Sequence, residues 1–468
     1  MPQIRRAAIL WIAVWLSATP VALARAGLLA ESDTFWEIRT GLLILATHRI
    51  PRADPYSWTA QGRLWRPNSW GFDVVLAPAY RYGGLTAVAL LGAVLVLAVV
   101  AAMLVLAHRL GARPGTAAVV LLLAMPLLIA WFAVRPQLAD YVAVPALVLL
   151  LDALAAGRRA VPVIAAVGVL QAVWVNLHAA AILGVALVGA VGTASVAAAA
   201  LSRARPGVAG GGTLARFTAA TGAAVAGTLL NPAGPAVLAQ GWHVHDASAG
   251  LIVEWQRLDV TDPTQAITVA VGVAGLVAAL VRRWWPVAAA LCVLAVGSVL
   301  AVRFQPILAV CAVPVLAGAL STAGLDRWAA RRRGVLRTGV VLLVCAYGVL
   351  AVRAVPHLGR PAYPVRPVQA LPSGCRLVNS YDLGGLVILL RPDVPVSVDS
   401  RNDLYGRTEA LHLKHLVDRG GPAQLDPLGV DCAVVPARSS LGRGLAGDPG
   451  WQPLRTDHGV TAFARRDG

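Results

Sequence analysis

The run LTAVALLGAVLVLAVVAAMLVLA, Leu85–Ala107, carries no charged side chain. About 20 apolar residues in helical form cross a hydrocarbon core of roughly 30 Å. Water does not reach that core, so the backbone must satisfy its own hydrogen bonds, and the stretch is predicted to be a transmembrane helix. Ala179–Leu201 reads the same way. Outward from these runs the whole chain keeps the same character. It is 58% hydrophobic and 13% charged, where a soluble chain has about 25% charged residues. Most of the chain therefore meets lipid.

The net charge of +17 would suggest nucleic acid in a soluble protein. Here the arginines sit in short clusters between apolar runs, where orientation signals belong, so no nucleic-acid partner is expected. The clusters are Arg5 and Arg6; Arg109 and Arg113; Arg158 and Arg159; Arg203, Arg205 and Arg216; Arg282 and Arg283; and Arg327, Arg331, Arg332, Arg333 and Arg337. Two apolar passes separate each cluster from the next. If clusters mark the cytoplasm, the pattern gives about eleven spans: 7–29, 85–107, 115–134, 138–156, 160–176, 179–201, 214–231, 265–281, 286–302, 304–320 and 335–353. The N-terminus is then cytoplasmic and the C-terminus outside. The first run also has the basic start and the Ala22-Leu23-Ala24 of a signal peptide. Its length favours a retained span, and the loop behind it lies outside either way.

The expected fold class is a polytopic α-helical membrane protein with a C-terminal extracytoplasmic α/β domain. Residues 1–355 form the transmembrane domain, with a long first outer loop (30–84) and a second (232–264); residues 356–468 form the tail domain. Gly210–Gly212 reads as a flexible linker. In the tail, strands are predicted at Arg376–Ser380, Pro395–Val398 and Cys432–Val435. Helices are predicted at Leu383–Leu390, capped by Asp382, and at Arg407–Asp418, with Thr461–Ala464 closing as an edge strand. This βαβ pattern predicts a small, mostly parallel sheet. Cys375 and Cys432 each open a strand. As neighbours outside the cell they are placed to bridge; the alternative is two buried thiols. No Cys/His spacing suggests zinc, and His243, His245 and Asp246 read as solvated loop residues, so no metal or cofactor is expected.

The first outer loop is the most informative segment. Asp33–Ala46 is expected as an amphipathic helix on the membrane, offering Phe35, Trp36, Leu42, Leu43 and Leu45 to lipid. Anchoring explains the aromatics. It does not explain Glu31, Asp33, Glu37 and Asp54 gathered at a low-dielectric surface, where a carboxylate gains proton affinity and suits general-base work.

The run Asp33-x-x-Trp36-x-Ile38-Arg39-x-Gly41, followed by Ile50-Pro51, Asp54-Pro55, Ser57-x-Thr59 and Gly62-x-x-Trp65, resembles bacterial multispan proteins related to the GT-C glycosyltransferases. Trp174-x-Asn176-Leu177-His178, Asn231-Pro232, Glu254-Trp255-Gln256, Tyr381-Asp382-x-Gly384-Gly385 and Asp399-x-Arg401-x-Asp403-Leu404-Tyr405 extend the resemblance over nearly the whole chain. Two positions depart from it: Glu37 where relatives often carry His, and Phe35 in place of Trp. They bear on acceptor binding. The resemblance implies a membrane-embedded transferase that takes a sugar from a polyprenyl-phosphate carrier and gives it to a glycan, lipid or protein acceptor outside the cytoplasm. It also implies a catalytic acidic residue just after the first span, and Asp33 matches that position.

Such chemistry needs a base, a cation for the leaving phosphate and an apolar groove. Asp33 is the candidate base, with Asp54 or Glu31 assisting. Arg39, Arg135 and Arg303 are candidates for the phosphate; snorkelling to headgroups is the plainer reading of the last two. His178 either binds phosphate or caps a helix. Glu254 and Gln256 line an acceptor site or anchor the interface. Asp399 and Arg401 face the acceptor or form a structural ion pair. Two other classes stay open: a lipid or solute transporter or flippase, and a non-catalytic membrane scaffold.

Overall fold

In the computed structural model, residues 2–201, 209–248, 250–323 and 333–466 are described. The clusters at Arg203 and Arg205 and at Arg327, Arg331 and Arg332 lie outside them. The protein is a multi-pass membrane protein. Among the described residues nine helices are long and apolar enough to cross a bilayer, or ten if the bent pair Gly212–Leu229 and Gly234–Gly241 is one span. The arginine pattern predicts about eleven. The shortfall falls on 214–231, which is half of that bent pair, and on 286–302, where Trp285–Leu300 is a shorter apolar helix. Gly210–Gly212 is no linker: it lies in the first turn of the helix Ala209–Leu229.

Two compact units make up the chain. One comprises residues 1–27, 89–238 and 253–358; the other comprises 28–88, 239–252 and 359–468. The expected boundary at 355/356 leaves the first long loop with the spans, whereas its residues fold with the tail.

The larger unit is the helical one. Its central helix, Gln305–Thr322, is buried along most of its length. The helix Pro263–Val281 shows how starts are encoded. Asp262 accepts from the backbone N–H of Thr264 and Gln265, with Pro263 in the first turn, so two orphan donors are satisfied where proline costs nothing.

The smaller unit carries a four-stranded sheet in the order β1-β2-β4-β3: β1 Leu377–Asn379, β2 Cys432–Pro436, β3 Trp451–Asp457 and β4 Val460–Arg465. Only β1 and β2 are parallel; β2–β4 and β3–β4 are antiparallel. The expected mostly parallel sheet is therefore corrected. Thr461–Ala464 lies inside β4, an interior strand, and β3 is the edge. Its alternating exposure and the Pro453 irregularity suit an edge position. Val378, Ala433, Val435 and Phe463 pack with Leu416, Val417 and Trp451 in the core. Cys375 and Cys432 are bridged.

Pro395–Val398 is not a strand of that sheet. The Asn379 side chain bonds the Ser397 N–H at 2.9 Å and the Val398 carbonyl at 2.7 Å, occupying groups a ladder would use. Val396 instead pairs with the first long loop, donating to Tyr56 O and accepting from Trp58 N. Asp382 is no helix cap either: it sits in a 3-10 turn, Tyr381–Leu383, ahead of the helix Gly384–Leu390.

Candidate active site

In the smaller unit the helix Asp33–Thr47 opens directly on the candidate base. A first-turn carboxylate is favoured there by the helix dipole. Phe35 and Trp36 are not lipid anchors. Phe35 is fully buried and packs edge-on against Tyr363. Trp36 packs against Trp65, and its indole N–H is shared between Asp33 Oδ1 at 3.3 Å and Ser400 Oγ at 3.1 Å. The tail helix crowds this segment: a Cβ at Gly385 would stand 2.1 Å from the Ser32 carbonyl, so only glycine permits that approach. Asp33 itself is half-buried.

Asp33 has acidic and phenolic neighbours. Burial, then the charge of Asp33, raises the Tyr381 hydroxyl well above its ordinary pKa. That hydroxyl donates to Asn402 Oδ1 at 2.8 Å. Asp403 is solvent-exposed, yet desolvation by dense surroundings pushes its pKa up to about 6, opposed by Arg401 and assisted by Asp399 and Asp33.

Asp54, Asp399 and Arg401 form a sealed network in the same unit. Arg401 holds both oxygens of Asp399, at 2.8 and 2.6 Å, and Asp54 Oδ1 at 2.7 Å; all three side chains are 0% exposed. Its guanidinium lies 4.5 Å from the Trp65 ring and 5.1 Å from Tyr56. Tyr405 donates to Asp399. Burial works against the charge on Arg401, and Asp399 and Asp54 more than offset it. Asp54 also accepts from the backbone N–H of Tyr56 and Ser57, a turn mimic that explains Asp54-Pro55-x-Ser57. These groups are enclosed, which is the arrangement of a structural ion pair, one of the two readings of Asp399 and Arg401. Arg39 is half-buried; burial pushes the Tyr56 hydroxyl up to about 12, and Arg39 is the least of the groups that oppose it. Glu31 is half-buried at the entry to the Asp33 helix.

The larger unit gathers the other candidates. The 3-10 turn Val253–Trp255 is tied to the turn Val302–Phe304 by Val302 N–H donating to Gln256 O at 3.0 Å, and Leu258 N–H donates to Val299 O. This puts the Arg303 guanidinium 4.0 Å from the Trp255 ring. Glu254 pairs with Arg135, at 20% and 17% side-chain exposure. Burial would raise the Glu254 carboxyl, but Arg135 and Arg303 outweigh it and hold the group below its ordinary pKa; His178 adds to the lowering. Arg135 and Arg303 therefore both act on Glu254, in a cluster that is only partly closed. Gln256 is exposed and contributes its backbone.

His178 caps no helix with its side chain. Its Nδ1 lies 2.7 Å from Asp140 Oδ2, and Trp174 donates to Asp140 Oδ1 at 2.6 Å. Asp140, Ser400 and Tyr381 were not among the expected site residues. An ionisable residue inside an apolar run, as Asp140 is, was the available signal; the others are revealed only by folding. Among the described residues no group of three or more His, Cys, Asp or Glu is arranged to hold a metal.

No family sequence model matches the chain, and no curated protein matches it by sequence. Solved structures do match it. An archaeal oligosaccharyltransferase, AglB from Archaeoglobus fulgidus, in complex with an inhibitory peptide and a dolichol-phosphate, superposes with a TM-score of 0.57 at 12% identity. The match covers 97% of this chain and 74% of that one. The apo form of the Archaeoglobus fulgidus oligosaccharyltransferase gives 0.55 at 11% identity, over 91% and 69%. The arabinofuranosyltransferase AftD from Mycobacteria gives 0.52 at 17% identity, over 98% of this chain and 41% of that one. The chain shares its fold with these solved structures over nearly its full length, and at these identities the likeness is one of fold.

Proposed function

We propose that this chain is a membrane glycosyltransferase that moves a sugar from a polyprenyl-phosphate carrier to an acceptor outside the cytoplasm. The observation that carries the reading is the half-open cluster of Arg135, Arg303 and Glu254. Planar guanidiniums suit a phosphate. The shared fold supports it: one match of that fold is in complex with a dolichol-phosphate. The Cys375–Cys432 bridge supports a tail domain in an oxidising compartment.

In this reading Asp33 removes the proton from the acceptor hydroxyl as its oxygen attacks the anomeric carbon. The carbon–oxygen bond to phosphate breaks, and the phosphate departs with its lipid. Negative charge at Tyr381 and Asp403 is disfavoured beside Asp33. Asp54, Asp399 and Arg401 serve as scaffold. The test is transfer of radiolabelled sugar from a panel of polyprenyl-phosphate sugars by protein in nanodiscs. Asp33→Asn is expected to lower transfer by about 10²–10⁴-fold with an unchanged yield of folded protein. Wild-type transfer by that variant removes Asp33 as the base.

A further inference from the structure

His178 and Asp140 form a pair that phosphate capture by two arginines does not require. Asp140 belongs to the apolar helix Gln137–Ala155 and is 2% exposed. A carboxylate placed there is costly unless it is paired. It accepts from Trp174 Nε1 at 2.6 Å and meets His178 Nδ1 with both oxygens, at 2.9 and 2.7 Å. A carboxylate only accepts, so the His178 proton is fixed on Nδ1 and the ring presents Nε2 outward. Among the described residues Nε2 makes no hydrogen bond, and His178 keeps 7% of its surface exposed. The charged groups about it are Asp140, and Glu254, whose carboxylate is lowered by His178. Arg135 and Arg303 flank Glu254, and Tyr141 lies beside Asp140.

We infer that His178 is a phosphate ligand, donating from Nε2 when protonated, and that Asp140 is the positioning residue that orients the ring and stabilises its charge. A phosphate monoester dianion arriving at this cluster brings charge that favours protonation of Nε2. Capture is therefore coupled to uptake of a proton from water onto that nitrogen, and no covalent bond changes. The inference rests on the phosphate reading above and adds a proton to it.

The test uses the full chain in nanodiscs of uncharged lipid and titrates undecaprenyl monophosphate by calorimetry at pH 8, in buffers of different ionisation enthalpy. Wild-type binding should take up a measurable fraction of a proton. His178→Ala should weaken binding about tenfold and abolish uptake. His178→Gln, which keeps an amide donor near the Nε2 position, should recover most of the affinity without uptake. Asp140→Asn should lower both affinity and uptake. In turnover assays the donor is a diester and the monoester dianion forms only as the leaving group, so these variants should lower kcat more than they raise the donor KM. Inorganic phosphate competing with the same uptake supports a phosphate monoester whatever its lipid. Equal competition by phosphatidylglycerol, a diester with no titrating oxygen, overturns the inference. If wild type binds and Arg303→Gln does not, while His178→Ala binds with unchanged uptake, this inference fails and the phosphate reading stands. If folded wild type does not bind the lipid phosphate at all, both fail.

Discussion

Arg401 and Arg135 are both held by carboxylates, and they differ in what is left over. Arg401 faces two carboxylates, is roofed by Trp65 and Tyr56, and has no exposed side-chain surface. Arg135 and its partner Glu254 keep 17% and 20% exposure. Desolvation makes a buried charge worth little unless every partner is satisfied. A closed site has no face to offer a ligand, and a half-open one does. The two sites differ in access rather than in residue type.

The largest effect expected is from breaking the closed site. Arg401→Met strands two buried carboxylates and should destabilise the smaller unit by about 3–5 kcal/mol, read as a fall in melting temperature in detergent. Adding Asp54→Asn and Asp399→Asn should return much of the loss. An Arg401→Met protein as stable as wild type would erase the contrast. Next, Cys375→Ser with Cys432→Ser opens a link between residues 57 apart and should cost about 2–4 kcal/mol, seen as a lower melting temperature that reductant no longer changes. Arg303→Gln tests the open site: donor KM should rise about 10–100-fold, an affinity change of about 1.4–2.7 kcal/mol, with little shift in melting temperature. The reverse pattern would make that site structural too.

The smallest effect concerns pH. The Asp403 carboxyl has a folded pKa of about 6, above its unfolded value of about 3.9. Between these values the folded state binds more protons than the unfolded one, so stability falls as pH rises from about 4 to 6 and is flat above. Asp403→Asn should therefore match wild type near pH 4 and melt higher at pH 7.5. Asp33→Asn, by removing a neighbouring charge, should shrink that gap.

The membrane class was legible because lipid imposes a crude rule on long segments: uninterrupted apolar length. Where the rule weakens, the reading slips, as at Trp285–Leu300 and at the bend after Leu229. Gly84 marks the start of the 85–107 span well, since its φ of 61° breaks the helix Trp70–Arg109 there. In the tail, Cys432–Pro436 was readable from its own apolar run, but Val396 was not. Its partners, Tyr56 and Trp58, are far away in sequence, and local pattern carries no trace of them. Asp33 draws notice in the sequence through its place behind the first span. Asp54 and Arg401 looked like site residues because buried ion pairs and active sites draw on the same amino acids; only enclosure separates them.

The pairing of Asp54 with Arg401 spans 347 residues. At roughly 5–20 residues per second of synthesis, the ribosome needs roughly 17–70 s to deliver the second partner after the first. Throughout that interval the segment behind the first helix holds Phe35, Trp36 and the Asp54 carboxylate without their final neighbours. Biogenesis of this protein must therefore shelter an unfinished segment until the last hundred or so residues arrive. A nascent chain stopped short of Val396 would be a client for quality control rather than a smaller copy of the fold.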